Sequence, residues 1–155
     1  MRWLMFLSIL LALLLSIVPL SFEWRGWRPE FMALVVIYWS TYSPQHFGLL
    51  GAWIAGLLLD VITLSPMGYH SIGLIVVAYI SHLAYQRIRS YALWQQAAWV
   101  FVLVGIYQLF GNWASGFMGK SVDTPIFLVA ALVTAFMWPL TVVTLRTIKI
   151  YYRIP

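Results

Sequence analysis

The chain has 155 residues, 63% of them hydrophobic and 8% charged, with a mean hydropathy of +0.91. A soluble domain carries about 25% charged residues, so this composition excludes a water-soluble fold and points to an all-α integral membrane protein. The chain has no cysteine, which excludes disulfides, thiolate metal sites and cysteine nucleophiles, and its net charge of +5 is scattered at the ends of apolar runs, unlike the basic stripe of a nucleic-acid binder.

The first apolar run, residues 3–20, follows a single Arg2 and is long enough to cross a bilayer. It lacks a small-x-small cleavage site, so it reads as a retained span and not as a signal peptide. A polar loop, Ser21 to Glu30, holds Trp24 and Trp27 at headgroup level, and Pro29 suits the first turn of the next helix. Residues 29–43 form a second arm of about 15 residues, short for a crossing. The polar break Ser43-Pro44-Gln45-His46 then favours a hairpin into residues 47–64. Further spans are expected over residues 69–86, 94–113 and 125–145, followed by a basic tail. The result is a single domain of six transmembrane helices, with five crossings as the alternative if the short arm is re-entrant.

Charge sets the expected orientation. Arg2, Arg87, Arg89, Arg146, Lys149 and Arg153 fall on one side. Arg25, Arg28 and Lys120 fall on the other, balanced by Glu23, Glu30 and Asp123. The excess of cations marks the cytoplasmic side, which places both termini there.

The stretch from Gly48 to His70 holds the only acidic residue inside an apolar run, Asp60. Gly48, Ala52, Gly56 and Asp60 recur every four residues and share one helical face, where small side chains allow close approach of another helix. Trp53, Leu57 and Leu58 are left for lipid or other helices. A carboxylate at membrane depth costs about 2.5–3.5 kcal/mol on insertion scales, so it requires a partner. Asp60 can accept backbone N–H groups of the Ser65–Gly68 turn, pair with Arg28, bind a ligand or proton, or contact a partner protein. Pro66 and Gly68 read as a tight turn with positive φ at Gly68. Gln108 and Asn112 lie one turn apart on a later span and are the candidates to meet Asp60 across the bundle.

Other motifs carry no chemistry. His46, His70 and His82 fall at different heights, so they read as interfacial or capping residues and not as a metal site. Ala114 to Ser121, ASGFMGKS, misses the first glycine of a phosphate-binding loop and follows a membrane helix where that motif needs a strand. Ser115 with His70 suggests an intramembrane serine protease, yet no third group is expected to orient the histidine. No catalytic residue, metal or cofactor is expected.

Several stretches together resemble the rod shape-determining MreD family. They are Arg28-Pro29-Glu30 leading into Tyr38-Trp39, Gly56 to Asp60 followed by Ser65-Pro66-Met67-Gly68, and Trp138-Pro139-Leu140 with Leu145-Arg146. Glu30 stands where that family often has Asp. The resemblance implies a non-enzymatic scaffold of the bacterial inner membrane, within the rod complex that drives peptidoglycan synthesis during elongation. Its implied partners are an MreC-like single-span protein, a RodA-type glycosyltransferase, a class B penicillin-binding transpeptidase and MreB. Asp60 and the Pro66–Gly68 turn are then the partner-facing candidates. The family's fold is similar to the S subunits of energy-coupling factor transporters, which supplies the alternative function of a small-molecule-binding subunit.

Overall fold

The computed structural model describes residues 2–18, 29–119 and 124–153, and for residues 124–127 the backbone alone. The described residues form six helices: α1 (Arg2–Ile17), α2 (Phe31–Tyr42), α3 (Leu49–Ile62), α4 (Tyr69–Ser90), α5 (Leu93–Phe117) and α6 (Thr124–Tyr151). Three segments are long and apolar enough to cross a membrane: Tyr69–Ser90, Leu93–Phe117 and Leu128–Tyr151. α1, α2 and α3 are shorter apolar helices of 16, 12 and 14 residues. Large apolar side chains face outward on the peripheral helices, among them Phe6, Leu50, Trp94, Trp113 and Phe136. Such a surface is stable against lipid tails and costly against water.

The short arm has an unexpected place. Every residue of α2 from Met32 to Thr41 is buried, and α2 packs against each of the other five helices. A helix that is apolar on all sides belongs inside a bundle, and FMALVVIYWSTY has no polar face to turn outward. Around it the chain folds as hairpins, with α3 against α4, α4 against α5 and α5 against α6, while α1 lies on α2 and α3. The helices alternate in direction. Arg2, Arg87, Arg89, Arg146, Lys149 and Arg153 therefore gather at one end, where Trp3 meets Tyr152 edge-on at 5.7 Å. We call this the basal end and the opposite one the distal end.

Two polar pins hold α2 from the basal half. The Trp39 indole N–H donates to Ser8 Oγ of α1 at 2.8 Å, and Ser8 in turn donates to the Met5 carbonyl. Gln96 of α5 is buried with its whole amide in use. Its Nε2 donates to the Ile88 and Tyr91 carbonyls, and its Oε1 accepts from the Tyr42 hydroxyl and the Trp138 indole. One side chain thus ties α2, α6 and the α4–α5 turn together.

Two of the helix boundaries that differ from expectation fall where polarity rises. α5 continues past Trp113 through Ala114 and Ser115 to Phe117, so the first four residues of the stretch Ala114 to Thr124, expected as a polar loop, are helical. α6 runs on through Pro139 and past Leu145 to Tyr151, so most of the basic tail is also helical. In both places the cues used were a rise in polarity and a change in charge, and a helix can carry either at a membrane surface.

Candidate functional site

The distal end is organised by the α3–α4 turn. α3 ends in a Schellman-type closure, with the Ser65 N–H donating to the Asp60 carbonyl at 2.9 Å and Leu64 in the left-handed region at φ 56°. The Tyr69 N–H then donates to the Pro66 carbonyl, and Gly68, at φ 96° and ψ −12°, occupies the left-handed position of that turn. Gly68 is also the N-cap of α4. Having no side chain, it offers no oxygen to the free N–H groups of that helix's first turn.

Asp60 supplies it. The residue is fully buried on α3, and its carboxylate reaches across to the start of α4. Oδ2 accepts the Gly68 N–H at 3.0 Å, and Oδ1 accepts the His70 N–H at 2.8 Å and the His70 ring at 2.7 Å. A carboxylate can only accept, so Nδ1 of His70 carries the proton in this contact. The charge sits at a helix N-terminus, where the backbone dipoles favour an anion. α3 comes this close because of Gly56: a Cβ there would lie 2.3 Å from the Ser71 Cα.

Beside this brace lies a cavity of about 110 Å³, lined by Glu30, Tyr69, His70, Tyr107, Gln108, Gly111 and Asn112. Its walls are themselves hydrogen-bonded. Gln108 Nε2 donates to Glu30 Oε1 at 2.7 Å, the Glu30 N–H donates to the buried Thr134 hydroxyl at 3.0 Å, and the Tyr69 and Ser115 hydroxyls share a bond of 2.8 Å. Tyr107, on the same wall, differs: its hydroxyl is buried without a hydrogen-bond partner.

The candidates named from sequence divide accordingly. Asp60, Pro66 and Gly68 meet in one hydrogen-bonded turn, and Ala52 and Gly56 are buried on the face of α3 that meets the bundle. Gly48 is not part of that face. It is the exposed N-cap of α3, and a Cβ there would meet nothing within 4 Å. Four-residue spacing put it on the stripe, but the stripe loses its neighbour at the helix's first turn. Gln108 bonds Glu30 and not Asp60, whose oxygens are taken up by α4, while Asn112 lines the cavity next to it. Arg28, the other expected partner of Asp60, lies outside the described residues, as do Glu23, Arg25, Lys120 and Asp123 used in the charge count.

Contrary to expectation a third group does orient His70, the Asp60 carboxylate on Nδ1, but Ser115 bonds Tyr69, so no serine–histidine pair forms. Ala114 and Ser115 of the phosphate-loop look-alike are helical, and its Lys120 and Ser121 lie outside the described residues. Among the described residues no group of three or more His, Cys, Asp or Glu is placed to hold a metal. Sequence reasoning passed over Glu30, Gln96 and Tyr107. Glu30 was legible only as a family position, and the other two looked like ordinary span residues.

No solved structure matches this chain. The family model described as rod shape-determining protein MreD matches residues 1–148. The chain is also 27% identical over 154 residues to the rod shape-determining protein MreD of Haemophilus influenzae, covering 96% of this chain and 93% of that protein. The chain belongs to the MreD family of rod shape-determining proteins, and it has the multi-pass helical architecture of a membrane protein.

Proposed function

We propose that this protein is a non-enzymatic scaffold of the bacterial inner membrane, with six crossings and both termini cytoplasmic. In this reading it binds an MreC-like single-span protein and helps hold a RodA-type glycosyltransferase, a class B penicillin-binding transpeptidase and MreB in one rod complex for peptidoglycan synthesis. The observation that carries the reading is the family match over residues 1–148. The structure adds support of a different kind. The polar side chains at the distal end are largely engaged with each other, as in a braced frame, and the central α2 is buried against all five other helices. The basal cations suit an anionic lipid surface, each contributing about 1 kcal/mol of attraction.

The transporter-subunit reading expects a pocket for a vitamin-sized molecule, for which volumes of about 300–1,000 Å³ are usual. The polar cavity is about 110 Å³, and two apolar ones beside α1 are about 240 and 210 Å³; all three fall below that range, which favours the scaffold. Two measurements test the proposal together. Depleting the protein from rod-shaped cells should round them, and affinity purification of the full chain should recover a single-span membrane partner. Cells that keep their rods, or a preparation that carries a vitamin-like ligand and an ATPase module, would overturn it.

A further inference from the structure

α1 rests on α2 and leaves an apolar groove of about 210 Å³ along α3. Met5, Phe47 and Ala55 form its buried floor, and the exposed Phe6 and Ile54 form its rims. Its basal mouth has another character. Arg2 and His46 line the groove there, and among the described residues neither side chain has a hydrogen bond or an ion pair. The chain's four acidic side chains, Glu23, Glu30, Asp60 and Asp123, belong to helix ends and connections away from the basal end in chain order. Arg2 therefore stands among six basal cations with no acidic side chain in the segments that build that end.

Length and charge together identify an occupant. The lining stops at Ile9 on α1 and Leu58 on α3. At 1.5 Å per residue, Arg2 to Ile9 and Gly51 to Leu58 each rise about 10 Å. The hydrocarbon core of a bilayer is about 30 Å thick, so one leaflet is about 15 Å deep. The groove thus takes part of one lipid chain and is too short to seat a helix that crosses the membrane. A phospholipid also carries a phosphate at the depth of the mouth, where the Arg2 guanidinium can grip two oxygens and the His46 ring can donate an N–H. A zwitterionic head would bring one more cation to this end, so an anionic head is preferred. The groove on the other face of α1, about 240 Å³ against α6, has no charged residue or histidine in its lining and offers no such anchor.

We propose that the α1–α3 groove seats one anionic phospholipid of the basal leaflet, its phosphate on Arg2 and His46 and an acyl chain over Met5, Phe47 and Ala55. The site requires that the bundle lie in a bilayer, and it does not depend on which complex the protein serves.

The test exploits the absence of cysteine in the chain. A fluorophore is attached to the purified full chain in detergent through Leu58→Cys, at the inner end of the groove, or through Leu11→Cys, in the groove against α6. Phosphatidylglycerol with brominated acyl chains should quench the label at position 58 saturably, at one lipid per chain, and several-fold more tightly than brominated phosphatidylcholine. The label at position 11 should show no such preference. Arg2→Gln should cut the preference about fivefold, the worth of one basic residue near an anionic lipid, and adding His46→Leu should cut it further. Each protein is first shown to unfold cooperatively. Unsaturable quenching, an equal response to phosphatidylcholine, the same preference at position 11, or an unchanged preference in the double variant would overturn the proposal. A photo-crosslinking residue at position 58 in cells that captures a protein and no lipid would assign the groove to a partner and overturn it as well.

Discussion

Asp60 and His70 are ten residues apart and meet twice, ring nitrogen and backbone nitrogen on the same carboxylate oxygen at 2.7 and 2.8 Å. With the Gly68 N–H on the other oxygen, one buried side chain of α3 closes the N-terminus of α4. The costly charge is thereby surrounded by three donors, and the glycine that the turn requires need not cap its own helix.

Substitution at Asp60 should separate hydrogen bonding from charge. Asp60→Asn keeps one acceptor oxygen but turns an N–H₂ toward a donor, costing about 2 kcal/mol. Asp60→Leu leaves three donors unpaired and should cost roughly 4 kcal/mol. Thermal unfolding of the purified chain checks the order. If both variants lose rod-shape complementation completely while Asp60→Asn stays well folded, the charge itself is required.

Gly56 and Gly105 should respond in opposite ways to alanine. At Gly56 the new methyl would meet the Ser71 backbone, so α3 must move off α4 at a cost of about 1–3 kcal/mol. At Gly105, in the middle of α5, nothing lies within 4 Å, and alanine should be neutral or add up to about 1 kcal/mol through helix propensity. Equal thermal midpoints for the two variants would contradict the close α3–α4 contact.

Gln96→Leu should be among the most damaging polar changes. It strands the Tyr42 hydroxyl and the Trp138 indole and removes both donors to the α4–α5 turn, for a loss of about 3 kcal/mol. Gln96→Glu keeps the two acceptor bonds but lacks donors for the Ile88 and Tyr91 carbonyls, and should also destabilise. Denaturation of the three proteins side by side decides this; an unchanged Gln96→Leu midpoint would show that the hub carries no weight.

Leu64 offers a stabilising change. It holds φ 56° with 92% of its surface exposed, so the leucine bears left-handed strain with little packing in return. Leu64→Gly should raise stability by about 1 kcal/mol, read as a higher unfolding midpoint. A lower midpoint would mean that the exposed side chain packs on something in the membrane environment.

Some of the distal site was legible because its parts are close in the chain. The left-handed glycine follows from Ser-Pro-Met-Gly, and a carboxylate within a few residues of that turn has its N–H groups in reach. His70 belongs to the same local unit but reads from sequence as an interfacial or capping residue, because a histidine near a turn has many ordinary uses. Glu30 with Gln108, 78 residues apart, was not legible. Spacing placed Gln108 and Asn112 on one face and left open which helix that face would meet.

From its sequence alone, this chain is a helical membrane protein of the MreD type with a glycine turn after a buried aspartate. Hydropathy, turn chemistry and motif order are properties of neighbouring residues, so they survive in one dimension. Tertiary structure alone decided that α2 is the core, that Gln96 is its polar hub, that Gly48 falls outside the packed stripe and that the Tyr107 hydroxyl is buried without a partner. A helical period tells which residues share a face. The rotation of each helix against its neighbours is set by packing all six at once, and that choice determines which polar groups find partners and which are left without.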